Sequence, residues 1–166
     1  MDKVAKNLSD IERKVGKANK ILAKGTGIKL GDAIKLGQKS NSVVSTIRKG
    51  IKEYDGTDPT AEETRQTLDK MNVIVTLTET QLELLMQNKP NFDKLHVGGL
   101  VRRNIEKSQE ASLELSKVML EKAPVDVKPE ADALEQRRKV AFEKAISFYL
   151  GATGGEDHAV GEDESD

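Results

Sequence analysis

At 166 residues the chain is long enough for one domain with a substantial buried core. Apolar residues make up 36% and charged residues 33%, with three Phe, two Tyr and no Trp, so the interior must be built from Leu, Ile, Val, Met and Ala. A formal net charge of −1 argues against a polyanion binder, the absence of Cys excludes disulfides and thiolate metal centres, and the widely separated His96 and His158 leave no expected zinc site.

The first predicted helix runs from about Asp2 to Lys24, with Val4, Leu8, Ile11, Val15, Ala18 and Leu22 stepping by three or four along one face. Gly25-Thr26-Gly27 breaks it. A second helix is expected from Lys29 or Asp32 to Tyr54, carrying Leu36, Ser40, Val43, Ile47, Ile51 and Tyr54 in register. Gly31, Gly37 and Gly50 weaken it, since each Gly costs about 1 kcal/mol against Ala in a helix interior. Asp55-Gly56-Thr57-Asp58-Pro59 is a turn signal. It also starts a third helix, either by an Asp58 cap with Pro59 at the first position or by a Thr60–Glu63 capping box one step later. Leu68, Met71, Val75, Thr78, Leu82 and Leu85 carry that helix to about Asn88, and Pro90 prevents its continuation. The segment from Pro90 to His96 reads as a connector that folds over the core, because a solvated linker rarely contains residues such as Phe92 and Leu95. A further helix holds Val97, Val101, Ile105, Ser108, Ser112, Leu115 and Met119 in register until Pro124. Pro129 opens the last one, with Leu134, Ala141, Phe142, Ala145, Ile146 and Tyr149 facing inward. From Gly151 the chain becomes Gly-rich and then acidic, which predicts a disordered tail over 151–166. The expected architecture is all-α: an antiparallel bundle of about five helices over residues 1–150.

Six of the acidic residues lie beyond Leu150, where there is no Lys or Arg, so the rest of the chain is mildly basic. There Lys and Arg alternate with Glu and Asp along helices, the pattern of a solvated face, and nucleic-acid binding is not expected. No apolar run approaches the roughly 18 residues that a membrane-spanning helix needs. The start, Met1-Asp2-Lys3, has no apolar signal region, which is expected of an intracellular protein or of a mature chain whose leader has been removed.

Catalytic patterns are missing: there is no Gly-x-Ser-x-Gly, no phosphate-cradling Gly-rich loop and no His-Glu-x-x-His. The Glu62-Glu63 pair lies where a helix N-terminus favours negative charge. No enzymatic activity and no cofactor are expected. More informative are the polar residues inside apolar stripes. Ser40 lies between Leu36 and Val43, Thr78 between Val75 and Leu82, and Ser108 and Ser112 between Ile105 and Leu115. Such a hydroxyl commonly bonds back to the carbonyl one turn earlier. The alternative is that some converge on the polar head of an apolar ligand held between the helices. A tunnel walled by Leu, Ile, Val and Met would lack flat stacking surfaces and suit a linear acyl chain better than a ring system. The ordinary alternative, which residue type alone favours, is that these side chains pack against each other as the core every bundle needs.

The run Leu84-Leu85-Met86-Gln87-Asn88-Lys89-Pro90-Asn91-Phe92, followed by Leu100-Val101, has further landmarks downstream. These are Leu113-Glu114-Leu115-Ser116, Leu120-Glu121-Lys122-Ala123-Pro124 and Phe142-Glu143-Lys144-Ala145-Ile146-Ser147-Phe148-Tyr149. Together they resemble the fungal hydrophobic surface binding protein A family, which includes the antigenic cell-wall galactomannoproteins of pathogenic moulds. The resemblance covers nearly all of residues 1 to 150. It implies a secreted or wall-anchored helical domain with a long hydrophobic cavity for fatty acids such as arachidonic and palmitic acid, and a role in virulence through sequestering host lipids. Other members of the family coat hydrophobic surfaces. The leader and the Ser/Thr-rich stalk that the resemblance leads one to expect are not read within these 166 residues.

The expected function is therefore non-catalytic binding of a long-chain fatty acid by a monomer or weak homodimer. The acyl chain is expected against Ile47, Met71, Val75, Leu82, Ile105, Leu115, Met119, Phe142 and Ile146, with Ser40, Thr78, Ser108 and Ser112 as polar candidates. The alternatives are a helical protein-interaction module and a surface-active coat protein without a specific ligand.

Overall fold

A computed structural model describes residues 1–159 and 161. Among these residues there are six α-helices and no strand: α1 (Asp2–Leu22), α2 (Leu30–Asp55), α3 (Ala61–Gln87), α4 (Lys89–Lys94), α5 (Gly98–Lys122) and α6 (Lys128–Phe148). Five are long, as expected. The sixth, α4, replaces the predicted connector: Pro90 stops α3 but is accommodated in the first turn of a new helix. That helix turns Phe92 fully inward, at 0% exposure.

The hydrophobic stripe of α1 is buried throughout, from Val4 to Leu22. At α3 the chain uses the Thr60–Glu63 box, not the Asp58 cap. The Glu63 N–H donates to Thr60 Oγ1 and the Thr60 N–H to Glu63 Oε1, both at 3.1 Å. The α2 glycines offset their cost in helix propensity by allowing close approach. A Cβ on Gly50 would lie 2.1 Å from Asn7 Oδ1 of α1, and one on Gly37 would lie 3.1 Å from Asn104 Nδ2 of α5. Gly31 has no such neighbour.

The long helices close into a ring in the order α1, α2, α5, α6, α3 and back to α1, each packed against the next. Helices consecutive in sequence alternate in direction, so their ends gather into two core clusters. One combines Leu22, Ala33, Leu82, Met86, Phe92, Leu100, Ile105, Phe142 and Tyr149. The other combines Val4, Leu8, Ile11, Val15, Val44, Ile47, Tyr54, Ile74 and Leu115. Tyr149 fastens the first, its hydroxyl donating to the Leu85 carbonyl at 2.5 Å.

The segment beyond Leu150 departs from the expected disordered tail. Ala152 and Ala159 are buried. The Leu100 N–H, one of the donors that a helix N-terminus leaves unpaired, donates to the Gly154 carbonyl at 2.9 Å. The side chains of Asn41 and Lys107 both donate to the Ala159 carbonyl at 3.2 Å. Gly154 makes this return possible. At φ +103° its missing Cβ would lie 2.4 Å from the His96 carbonyl oxygen. The glycines that suggest a flexible linker by composition are here the residues that let the chain fold back over α5. Residues 160 and 162–166 of the expected tail lie outside the described residues.

Candidate functional site

Two apolar cavities lie along the axis of the ring, and all five long helices line each of them. The first is walled by Ala18, Leu22, Ala33, Leu36, Leu82, Leu85, Val101 and Ile105, with Ser40 and Asn104 as polar members. The second is walled by Ile11, Val15, Val43, Ile47, Met71, Ile74, Val75 and Leu115, with Thr78, Ser112 and Arg138. Gln81, Ser108 and Phe142 belong to both walls and form a waist between them. Each cavity has a free internal volume of about 40 Å³. Pockets for drug-sized ligands run to about 300–1,000 Å³. An occupant longer than a few atoms must therefore displace side chains at the waist.

Most of the sequence-derived site residues meet here. Ser40, Leu82 and Ile105 line the first cavity, Ile47, Met71, Val75, Thr78, Ser112 and Leu115 the second, and Ser108 and Phe142 both. Met119 and Ile146 line neither. They pack, partly buried, against the core clusters instead, Ile146 against the first and Met119 against the second.

The polar candidates divide by what their protons already do. Thr78 Oγ1 donates to the Ile74 carbonyl at 2.8 Å and Ser112 Oγ to the Ser108 carbonyl at 2.7 Å, each one turn back along its own helix. Ser40 and Ser108, 68 residues apart in sequence, meet across α2 and α5 with their Oγ atoms 3.3 Å apart.

One residue of the second wall escaped the sequence reading. Arg138 is only 5% exposed, with its guanidinium carbon 5.6 Å from the centroid of the Phe142 ring. Its Nε–H donates to Glu135 Oε2 at 2.8 Å and its Nη2 to Oε1 at 2.6 Å. The doublet Arg137-Arg138 looks like solvated charge, yet Ala131, Arg138, Phe142, Ala145 and Tyr149 form an inward stripe at spacings of seven, four, three and four. That register was the available signal. Arg137 faces outward and ties α6 to α3 through Glu79 and Asn72.

Burial opposes ionisation of Glu135, but hydrogen bonds from Arg138 and Ser116, with the charges of Arg138 and Lys139, outweigh it and hold the carboxyl below its usual range. A folded-state carboxyl made more acidic contributes stability that is complete above its ordinary value. That contribution is lost as pH falls through the lowered one. Glu135→Gln is therefore expected to cost most near neutral pH and to converge with the native chain only as the pH falls from the ordinary carboxylate range through the lowered value. Urea midpoints across that range test it; a constant difference at every pH would exclude the ion pair as the cause.

Among the described residues no three His, Asp or Glu side chains are placed to hold a metal ion, and no helix is long and apolar enough to cross a membrane. The fold is similar to that of three crystallised domains. Afmp4p in complex with palmitic acid superposes with a TM-score of 0.83 at 20% identity, over 88% of this chain and 97% of that one. Ligand binding domain 2 of the Penicillium marneffei MP1 protein, in complex with arachidonic acids, gives 0.84 at 20% identity over 92% and 96%. Domain 1 of the same protein, also complexed with arachidonic acids, gives 0.80 at 21% over 87% and 95%. No curated protein sequence matches the chain. The profile of one sequence family matches residues 1–121, spanning α1 to nearly the end of α5. The chain belongs to the hydrophobic surface binding protein A family.

Proposed function

We propose that this chain is a non-catalytic carrier that takes a long-chain fatty acid into the axis of its helical ring. The observation that carries the proposal is the pair of apolar cavities meeting at a polar waist, each walled by all five long helices. Support comes from the three similar domains, whose crystals hold palmitic or arachidonic acid. Burial supplies the driving force at about 0.8 kcal/mol per methylene, so a sixteen-carbon chain gains roughly 12 kcal/mol before ordering costs. About 8 kcal/mol net suffices for micromolar affinity. The acyl chain spans both cavities, against Ile47, Met71, Val75, Leu82, Ile105, Leu115 and Phe142. The carrier acts as a monomer or weak dimer in a secreted or wall-attached setting, as its family suggests.

Native mass spectrometry of gently purified protein, before and after denaturation, tests the reading. The expected result is a mass excess of a few hundred daltons, lost on unfolding, or uptake of one or more palmitic or arachidonic acid molecules on incubation. A clean mass with no uptake would exclude the carrier. One observation favours a surface-active second role: Val140, Phe148 and Leu150 at the α6 end are 55%, 50% and 82% exposed. That role predicts adsorption to oil droplets with little dependence on acyl length, weakened in a Phe148→Ser, Leu150→Ser double variant that still takes up fatty acid.

A further inference from the structure

A fatty-acid carboxylate drawn into this axis needs hydrogen-bond donors, and most hydroxyls of the two walls are already committed. The Thr78 and Ser112 hydroxyl protons are committed to backbone carbonyls, and one of the Ser40 and Ser108 protons is used between the two residues. Arg138 differs. A guanidinium carries five N–H donors in a fixed fork. Glu135 occupies the edge formed by Nε and Nη2, whereas Nη1 is buried and has no hydrogen-bond partner among the described residues, in a side chain that lines the second cavity. A native fold seldom leaves a buried charged donor unpaired, so such a group calls for an explanation. The same wall holds Gln81 and Ser112.

Resting on the carrier reading above, we propose that Arg138 is the head-group receptor of this chain, its free Nη1 end receiving the carboxylate of the acyl ligand. The arrangement divides one cation between two acids. Glu135 takes one side of the guanidinium, fixes its plane and offsets the cost of burying it when no ligand is bound. The ligand carboxylate then completes the donor set from the opposite end. Phe142, in cation–π contact with the guanidinium and part of the waist, couples head-group capture to the passage between the cavities. The site selects long-chain carboxylates over neutral lipids of equal length, because an alcohol or ester brings no charge to Nη1.

The test compares palmitic acid with 1-hexadecanol by displacement of a fluorescent fatty acid, in the native chain, Arg138→Met and Arg138→Lys. The native chain is expected to favour the acid by about 10- to 100-fold, the range of a charge-assisted hydrogen bond. Arg138→Met should bring the two ligands to parity by weakening the acid alone, and Arg138→Lys should restore part of the preference. A preference that survives in Arg138→Met overturns the assignment. So does equal binding of acid and alcohol by the native chain, which would leave the carrier reading standing. Binding of neither ligand overturns both. Palmitic acid labelled with ¹³C at its carboxyl gives a readout that needs no variant. Bound to the native chain, its signal should stay that of the carboxylate to a lower pH than in a detergent micelle; a midpoint at or above the micelle value overturns the proposal.

Discussion

Ile105→Asp is expected to lower palmitic acid affinity by at least 100-fold while leaving a largely helical protein. Ile105 is 2% exposed and lies on α5 in the wall of the first cavity, beside Leu82, Val101 and Phe142. Among the described residues the polar members of that wall are Ser40, Gln81, Asn104 and Ser108, none of them cationic. A carboxylate placed there has no counter-charge, and even in its protonated form it leaves polar atoms facing an acyl chain. Such a mismatch costs about 3 kcal/mol or more, which converts to the stated loss in affinity. Leu113→Asp, two turns further along the same helix at 40% exposure, adds the same charge outside the ring. It should bind normally and stay within about 0.5 kcal/mol of native stability. Titration calorimetry with palmitic acid, alongside circular dichroism, separates the two. Should Ile105→Asp not fold, Ile105→Asn tests the same wall without a charge. Undiminished binding in a folded variant would remove the acyl chain from the axis.

The sequence exposed those features that follow from periodicity. Six positions stepping along α1 were enough to define its buried face, because helical geometry leaves no other way to shelter them together. The same logic located eleven of the thirteen expected site residues in the cavity walls. What it missed depends on tertiary partners. Gly37 and Gly50 read as weak points of α2, but their value lies in what approaches them, Asn104 and Asn7, from helices distant in sequence. The glycines after Leu150 read as slack, although their left-handed conformations are what fold the segment onto α5. Pro90 marked the end of one helix and, less visibly, the start of another. Arg138 was hidden by residue type: charge suggests solvent, and only its register with Phe142 and Tyr149 pointed inward. Nor does periodicity reveal that the axis is divided, since the partition depends on where one aromatic ring sits.

That ring supplies the second large effect. Phe142→Ala is expected to lower stability by about 3–5 kcal/mol, the usual cost of truncating a buried Phe, and hence to lower Tm by roughly 10 °C for a domain of this size. Phe142 is 2% exposed, so the loss reflects apolar surface and contacts that no solvent replaces. Palmitic acid should nevertheless raise the Tm of Phe142→Ala by several degrees more than that of the native chain. In the native chain a ligand must move the ring aside to join two spaces of about 40 Å³ each, and that rearrangement subtracts from the binding energy. Without the ring the spaces merge, and the acyl chain recovers contacts that the truncation removed. Phe92→Ala provides the contrast. Phe92 is 0% exposed but lines neither axial cavity, so its loss should destabilise to a similar degree without increasing the ligand's effect. Thermal melts of all three proteins with and without saturating palmitic acid decide the matter. A larger ligand-induced shift in Phe142→Ala alone identifies the ring as the internal gate. Equal shifts in all three would mean that the acyl chain enters without disturbing the waist, and the two cavities would then have to fill independently.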